Sequence, residues 1–390
     1  MTLHLSARAG VGRLNEVANA LAQAKGAGLA VTDLSTSNPT QFGLSDPSLL
    51  DVLAAHMGPA ARYEPDAKGW LGARLALAAR FGGTPNQYWL TASTSEAYYW
   101  LLTALCDVGD AVAVPQPGYP LVEPLARLAG VKVVDYGAFY VHPHGWELDL
   151  SSVAASLRPT DQAPVRGLVA INPNNPTGAY VCPDQGAALG QLAAKKQVAL
   201  IADEVFFPFG LADGPHRPLA DSAGPDTVVV TLGGLSKLLA APQLKLGWLR
   251  VSGPTAATAG LAAALDVIAD TYLSVNSPVA VALPALLELA DSTVERIVAR
   301  CRDNLAVLGG LPDGFRVRHT QGGWTALVDL PRVFDDDDMT HWLLDAGLAA
   351  HPGWFYDVAD PDVIAVSLLP DPAVLTDAVR RLAPLSELAL

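Results

Sequence analysis

The sequence predicts an α/β protein with a large domain, a mostly parallel sheet covered by helices, and a smaller α+β domain joined to it. Three observations carry that expectation. Apolar runs of strand length alternate with helical stretches through the middle of the chain, and near-continuous apolar strands need cover on both faces. After about Pro254 the texture changes to alanine-rich helix and then to a strand, turn and strand pattern. The 390 residues are 51% hydrophobic and only 16% charged, which is enough apolar material for a substantial core and a companion. The expected division is 45–260 for the large domain, with 1–44 and 261–390 forming the small one.

Each element has its own signal. Ser45-Asp46-Pro47 reads as a helix start, with a capping side chain and a proline in the first turn. A helix is expected from Gly69 to Arg80, stopped by Phe81-Gly82-Gly83. The turn Thr84-Pro85-Asn86 introduces a strand, YWLTA, and a helix follows from Ser95 to Leu105. Strands are read at 111–115, 131–136, 167–172, 198–207, 227–232 and 245–251, with a helix around Val122 to Leu128. A long helical run is expected from about Pro278 to Leu308. Beyond Gly314 come a strand, the Gln321-Gly-Gly-Trp324 turn, a strand, a helix from Met339 to Ala346, a strand at 363–369 and a last helix.

Charge excludes some functions. Twenty-five basic against thirty-nine acidic residues give a net charge of −14, which repels phosphate backbones and anionic membranes, so no nucleic acid or membrane partner is expected. The opening stretch lacks a charged head followed by an apolar block, so no secretory leader is expected. Cys106, Cys182 and Cys301 are few and far apart; they suit small buried hydrophobes in a reducing compartment, and a cytoplasmic location is expected. His142 and His144 have no partners at metal-ligand spacing, and no metal is expected. The acidic run Asp335 to Asp338 reads as a solvated helix start.

Four segments stand out because each lies at the end of an expected strand, where parallel sheets gather ligands. They are Thr91-Ala-Ser-Thr-Ser-Glu96, Asn172-Pro-Asn-Asn-Pro-Thr-Gly178, Asp203-Glu204 and Gly233-Gly-Leu-Ser-Lys237, the last with Lys245 eight residues on. Singly they are a helix cap, a turn, a buried acid and a lysine. In this order, with Tyr63-Glu-Pro-Asp-Ala-Lys-Gly69 and Pro117-Gly-Tyr-Pro120, they resemble the pyridoxal-phosphate-dependent aminotransferases of class I and II, the fold type I family, from about residue 37 to 369.

The resemblance implies pyridoxal 5'-phosphate as cofactor and assigns roles. Lys237 would hold the cofactor's aldehyde as a Schiff base and then move the proton. Asp203 would pair with the ring nitrogen and raise its pKa, so that the ring draws electrons from the substrate's Cα. Asn175 would donate to the phenolate oxygen, and Tyr119 would stack on the ring. Ser93, Thr94 and Ser95, at a helix N-terminus, would hold the phosphate with Ser236 and Lys245. Tyr63 would reach the phosphate of a neighbouring subunit, implying a homodimer with shared sites.

Three positions depart from the family pattern. Lys245 stands where arginine is usual, keeping the charge without the bidentate fork. Phe206 stands where a tyrosine hydroxyl usually serves the phenolate oxygen. Ala365, in Val363-Ile-Ala-Val-Ser-Leu368, stands where an arginine usually forks the substrate's carboxylate. Asn38 and the residues flanking the 321–324 turn, Arg316, Arg318, His319 and Trp324, are the candidates for the substrate side. The expected function is transfer of an amino group between an amino acid or amine and a keto acid; the alternative is a lyase or decarboxylase on the same fold.

Overall fold

The computed structural model describes residues 3–10, 19, 21, 26, 28, 30–158, 163–214, 216–331 and 336–388. A sheet of eight strands forms its centre: β1 (Tyr88–Thr91), β2 (Ala111–Gln116), β3 (Lys132–Val141), β4 (Gly145–Leu148), β5 (Val165–Ile171), β6 (Ala199–Asp203), β7 (Val229–Gly234) and β8 (Gly247–Ser252). Their order is β1-β8-β7-β6-β5-β2-β3-β4. From β7 through β6, β5 and β2 to β3 all neighbours are parallel. Strand β8 runs against both β1 and β7, so β1 points the same way as the parallel set.

Period two explains why the central strands read as continuous apolar runs. Val112, Val114, Val169, Ile171, Ile201 and Val230 pack on one face. Ala111, Ala113, Leu168, Ala170, Leu200 and Ala202 pack on the other. Both faces are dry, so both need apolar side chains.

A second sheet contains β9 (Arg316–Val317), β10 (Thr325–Asp329), β11 (His351–Pro352) and β12 (Val363–Ser367), all antiparallel in the order β9-β10-β12-β11. Ala326, Val328, Ile364 and Val366 face a core that includes Ile297 and Leu375 of the flanking helices. Leu327, Val363 and Ala365 point the other way, against Tyr356 and Val358. Thr32–Asp33 pairs in parallel with Leu348–Ala349, so the early chain is bound to this unit.

Several expectations need correction. The division at 260/261 falls inside the helix Thr255–Tyr272, whose Leu261, Leu265 and Ala269 pack on the large sheet. Helix Ser277–Leu287 also packs there, against Leu77, Tyr88 and Leu235. Alanine-rich composition marked a change of texture, not a change of core. The long run to Leu308 is two helices, Ser277–Leu287 and Ala290–Leu308, bent by 74°. Helix α1 (Leu49–His56) begins later than expected, because Asp46 turns its carboxylate onto the backbone N–H and hydroxyl of Ser48 before the helix starts. Strand β6 stops at Asp203, four residues short of the expected end. Strand β3 runs on to Val141 and returns through β4, which places His142 and His144 in a hairpin turn. Cys182 is exposed rather than buried, whereas Cys301 is buried. Of the acidic run, Asp335 lies outside the described residues.

Among the described residues no single helix is long and apolar enough to cross a membrane. No group of three metal-ligating side chains is found among them.

Candidate active site

The carboxyl ends of β1, β5, β6 and β7 share one edge of the large sheet, and every segment singled out in the sequence lies on it. Strand β7 ends at Gly234 and turns into the short helix Leu235–Leu238, which carries Ser236 and Lys237. The Lys237 ammonium lies 5.1 Å from the centre of the Phe206 ring and 4.8 Å from that of Trp324. Burial among these rings pushes its pKa down to about 8, although the negative charge of Asp203 pulls the other way. Among the described residues Lys237 enters no ion pair. Such an amine is readily neutral, which is what a nucleophile requires.

Asp203 ends β6. Its Oδ2 accepts from the Tyr98 hydroxyl at 2.9 Å and its Oδ1 from the Val205 N–H at 3.3 Å. Burial raises its pKa, while these two donors and Lys237 draw it back. A half-buried carboxylate so placed can meet a cationic partner on its open side.

Helix α2 (Leu71–Phe81) precedes β1, and helix α3 (Thr94–Leu105) follows it. Ser93 caps α3 by accepting from the Glu96 N–H at 3.1 Å, and Glu96 reaches back to the Ala92 N–H at 2.6 Å. The N–H groups of Thr94 and Ser95 are left without an acceptor among the described residues, as a helix start leaves them. Gly247 of β8 runs beside this turn; a Cβ there would meet Ser93 C and Thr94 N at 3.1 Å. Gly234 lies against the methyl of Thr94, at 3.7 Å from its virtual Cβ, so the α3 start and the lysine turn adjoin. Lys245 is exposed, in the left-handed conformation at φ 52°, and Asn276 Nδ2 donates to its carbonyl. Tyr63 is 70% exposed, on a groove shared with Trp70, Trp100 and Leu273.

The three asparagines of the 172–178 loop differ in role. Asn172 accepts from the Val181 N–H and donates to Glu204. Asn174 accepts from Thr177 and donates to the Pro117 carbonyl at 3.1 Å, which ties the loop to the turn bearing Tyr119. Asn175 has a buried side-chain oxygen with no partner. Tyr119 is half-exposed, and Asp203 lies close enough for its charge to help raise the phenol's pKa, after burial.

On the opposite side stands the second sheet. Its 321–324 turn is stitched to the large domain: Gln321 and Gly322 donate to the Gly178 carbonyl, Gly323 donates to that of Phe209, and Gln321 Oε1 accepts from the Tyr180 N–H. Trp324 is thereby held 1% exposed against Phe206, Phe209 and Lys237. Asn38 turns its carbonyl oxygen onto the Thr40 N–H and hydroxyl, leaving its amide N–H groups to donate elsewhere.

Arg318 does not join this cluster. It is 3% exposed, gripped by Asp329 at 2.6 Å and Asp360 at 2.6 Å, and laid over Tyr140 and Trp146. Arg316 is likewise bound to Asp329. Nε and Nη2 are committed to two carboxylates and the remaining Nη1 is buried without a partner, which argues against Arg318 as the group that binds substrate.

Ala365 is opposite His351 in the ladder, which puts both side chains on one face of the sheet. His351 stacks on Phe355 with centroids 4.3 Å apart, and its Nδ1 lies 3.1 Å from the Tyr356 hydroxyl. The Tyr356 carbonyl accepts from the Gly118 N–H at 3.0 Å, beside Tyr119. The sequence places His351-Pro-Gly-Trp354 in a turn resembling one that approaches the family's active site, but assigns His351 and Tyr356 no role and misses Tyr98. His351 needs the strand register to be seen; Tyr98 is legible afterwards, four residues from Thr94 on one helix face.

The comparisons with known proteins agree with this geometry. The family model described as "Aminotransferase class I and II" matches residues 30–382. An alanine aminotransferase of Mycobacterium bovis is 28% identical over 91% of this chain and 85% of its own length. The glutamate-pyruvate aminotransferase AlaA of Escherichia coli is 28% identical over 78% of this chain and 72% of its own. An aminotransferase from Escherichia coli superposes with a TM-score of 0.87 at 24% identity, covering 100% of both chains, and shows the same fold. The chain belongs to the class I and II aminotransferases, and it is a pyridoxal-phosphate-dependent transferase acting on amino and keto acids. The residues present fit that cofactor: the unpaired N–H groups of Thr94 and Ser95 at the α3 start suit a phosphate, the open side of Asp203 suits a ring nitrogen, and the depressed Lys237 amine suits an aldehyde.

Proposed function

We propose that the chain is a cytoplasmic, homodimeric aminotransferase for a small amino acid, and that it holds its substrate without an arginine fork. Bound pyridoxal phosphate supplies an aldehyde for amine capture and a ring that accepts the electrons released at the substrate's Cα. Lys237 would hold that aldehyde and would carry the proton to and from the substrate's Cα. Asp203 keeps the ring nitrogen cationic. Ser93, Thr94, Ser95, Ser236 and Lys245 hold the phosphate, Asn175 donates to the phenolate oxygen, Tyr119 covers the ring, and Phe206 packs beside the lysine without offering a hydroxyl. Tyr63 is so exposed in a single chain that a second subunit is its natural cover, which supports the dimer. Free cysteines support a reducing compartment.

On the substrate side, Asn38, His351 and Tyr356 offer neutral donors, and Trp324 closes the apolar wall. The single observation that supports this reading is the pairing of Ala365 with His351, joined to the burial of Arg318 between two acids. The relatives named for alanine and for glutamate and pyruvate support a small substrate.

A half-reaction panel tests the reading. Loaded protein is mixed with alanine, glutamate and carboxylate-free amines, and conversion of the bound cofactor to its amine form is followed by absorbance. Conversion by alanine or glutamate, reversed by a keto acid, is expected. Conversion by carboxylate-free amines alone would overturn the small amino acid, and release of ammonia or carbon dioxide would overturn transamination.

A further inference from the structure

We propose that Tyr98 is a positioning residue, which makes α3 a single ruler fixing the phosphate end and the ring-nitrogen end of the cofactor site at once. The proposal rests on the reading that Asp203 meets the ring nitrogen. Thr94 and Ser95 open α3 at the phosphate turn, and Tyr98 stands four residues beyond Thr94 on the same helix face. One helical turn, roughly 5–6 Å of rise, therefore separates the two functions.

The hydroxyl of Tyr98 reaches Asp203 Oδ2 at 2.9 Å across to β6. Its ring is 1% exposed, packed in the core with Ala97, Trp100 and Leu101. Such a ring has no freedom to follow a carboxylate that moves. The start of α3 is equally constrained: Glu96 Oε2 accepts from the Ala92 N–H and from the Ser274 hydroxyl at 2.7 Å, and Ser93 caps the first turn. Burial and the neighbouring charge of Asp203 keep the phenol protonated, so toward this carboxylate Tyr98 is the donor.

A donor on one carboxylate oxygen has two effects. It fixes the plane of the carboxylate, so that the remaining lone pairs point where a ring nitrogen can be met. It also spreads the negative charge, so that the shared proton stays with the nitrogen rather than passing to Asp203. A tyrosine satisfied merely as core would find a backbone carbonyl, as Tyr136 does with Val169. Tyr98 instead meets the one acid on this sheet edge that chemistry requires.

The test uses full-length protein loaded with pyridoxal phosphate labelled with nitrogen-15 in the ring. In the wild type the ring-nitrogen chemical shift is expected at the protonated end, and in Asp203→Asn at the neutral end. Tyr98→Phe is expected to move the shift part of the way toward neutral. It should also lower kcat about tenfold, the scale of one hydrogen bond to a charged group, with KM changed less than about twofold. In the Asp203→Asn background the same change should cost less than about twofold, because its target is gone. A purely structural tyrosine would lower the melting temperature and leave the nitrogen shift in place. If Tyr98→Phe does not fold, Tyr98→Leu removes the donor with less ring to accommodate.

An unmoved shift in Tyr98→Phe, or losses that add fully to those of Asp203→Asn, would overturn this proposal alone. A wild type that takes up no cofactor, or whose nitrogen signal ignores Asp203→Asn, would overturn the site reading as well.

Discussion

The strand-end edge of the large sheet and the facing surface of the small sheet meet at Lys237, yet they are built on different logic. On the large-sheet edge each chemical group is placed by its own turn. Ser93 caps a helix, Asp203 ends a strand, Asn175 sits in a proline-bounded loop and Lys237 follows a glycine pair. On the small-sheet face the groups are placed by their neighbours across strands. His351 lies opposite Ala365, Arg318 is bound by Asp329 and Asp360, and Trp324 follows a turn whose Gln321, Gly322 and Gly323 bond to the Gly178 and Phe209 carbonyls. Placement on the large-sheet edge is local and tolerates little change. Placement on the small-sheet face is long-range, so it can be rebuilt by exchanging partners.

The largest effect should come from the local side. Lys237→Ala is expected to abolish turnover, by about 10⁴-fold or more, and borohydride should no longer fix the cofactor to the protein. A variant retaining full activity would erase the contrast, because the edge would then not hold the chemistry.

The long-range side should respond differently. His351→Ala is expected to raise the KM for the amino acid about tenfold while cofactor absorbance stays unchanged. Loss of cofactor binding instead would show that the two surfaces are not separable.

A smaller change sharpens the local side. Phe206→Tyr should bring a hydroxyl near Lys237, where the Phe206 ring is 5.1 Å from the ammonium, and so near the cofactor's phenolate oxygen. The pH at which the bound cofactor changes colour is expected to fall, because the added donor stabilises the phenolate and weakens its hold on the shared proton. An absorbance titration that did not move would count against that placement.

The smallest effect concerns stability behind the site. Glu204 is buried, accepts from the Leu219 N–H at 2.7 Å and from Asn172, and has its pKa pushed by burial up to about 7. The folded carboxyl thus keeps its proton to about pH 7, while the unfolded one releases it near the ordinary value of 4.5. Stability from this group is present below pH 4.5 and is lost as pH rises through about 7. Glu204→Gln should flatten the fall in melting temperature between those values, raising it by about 2–4 °C at pH 8 for a chain of this size. Equal melting curves for the two proteins across that range would place the cost elsewhere.

Legibility in the sequence followed the same division. The strand runs of the large sheet, the ends at which its motifs lie and the exclusions drawn from charge could be read because each depends on a few adjacent residues. The cut at 260/261 failed because helices Thr255–Tyr272 and Ser277–Leu287 carry apolar faces that match the large sheet, and composition cannot say which core a face will join. Arg318 failed as a substrate residue because its acids lie 11 and 42 residues away. Tyr98 looked like one more core aromatic in YYWLL until β6 was placed beside it.

The sequence by itself determined the family, the cofactor and the order of strand ends that present the chemistry, because hydrophobic period and turn residues act over short distances. Only the tertiary structure decided which charges are neutralised, that His351 lies across from Ala365 in the second sheet, and that the Tyr98 hydroxyl donates to Asp203. Those outcomes depend on register and on distances between segments far apart in the chain, and no local propensity encodes either.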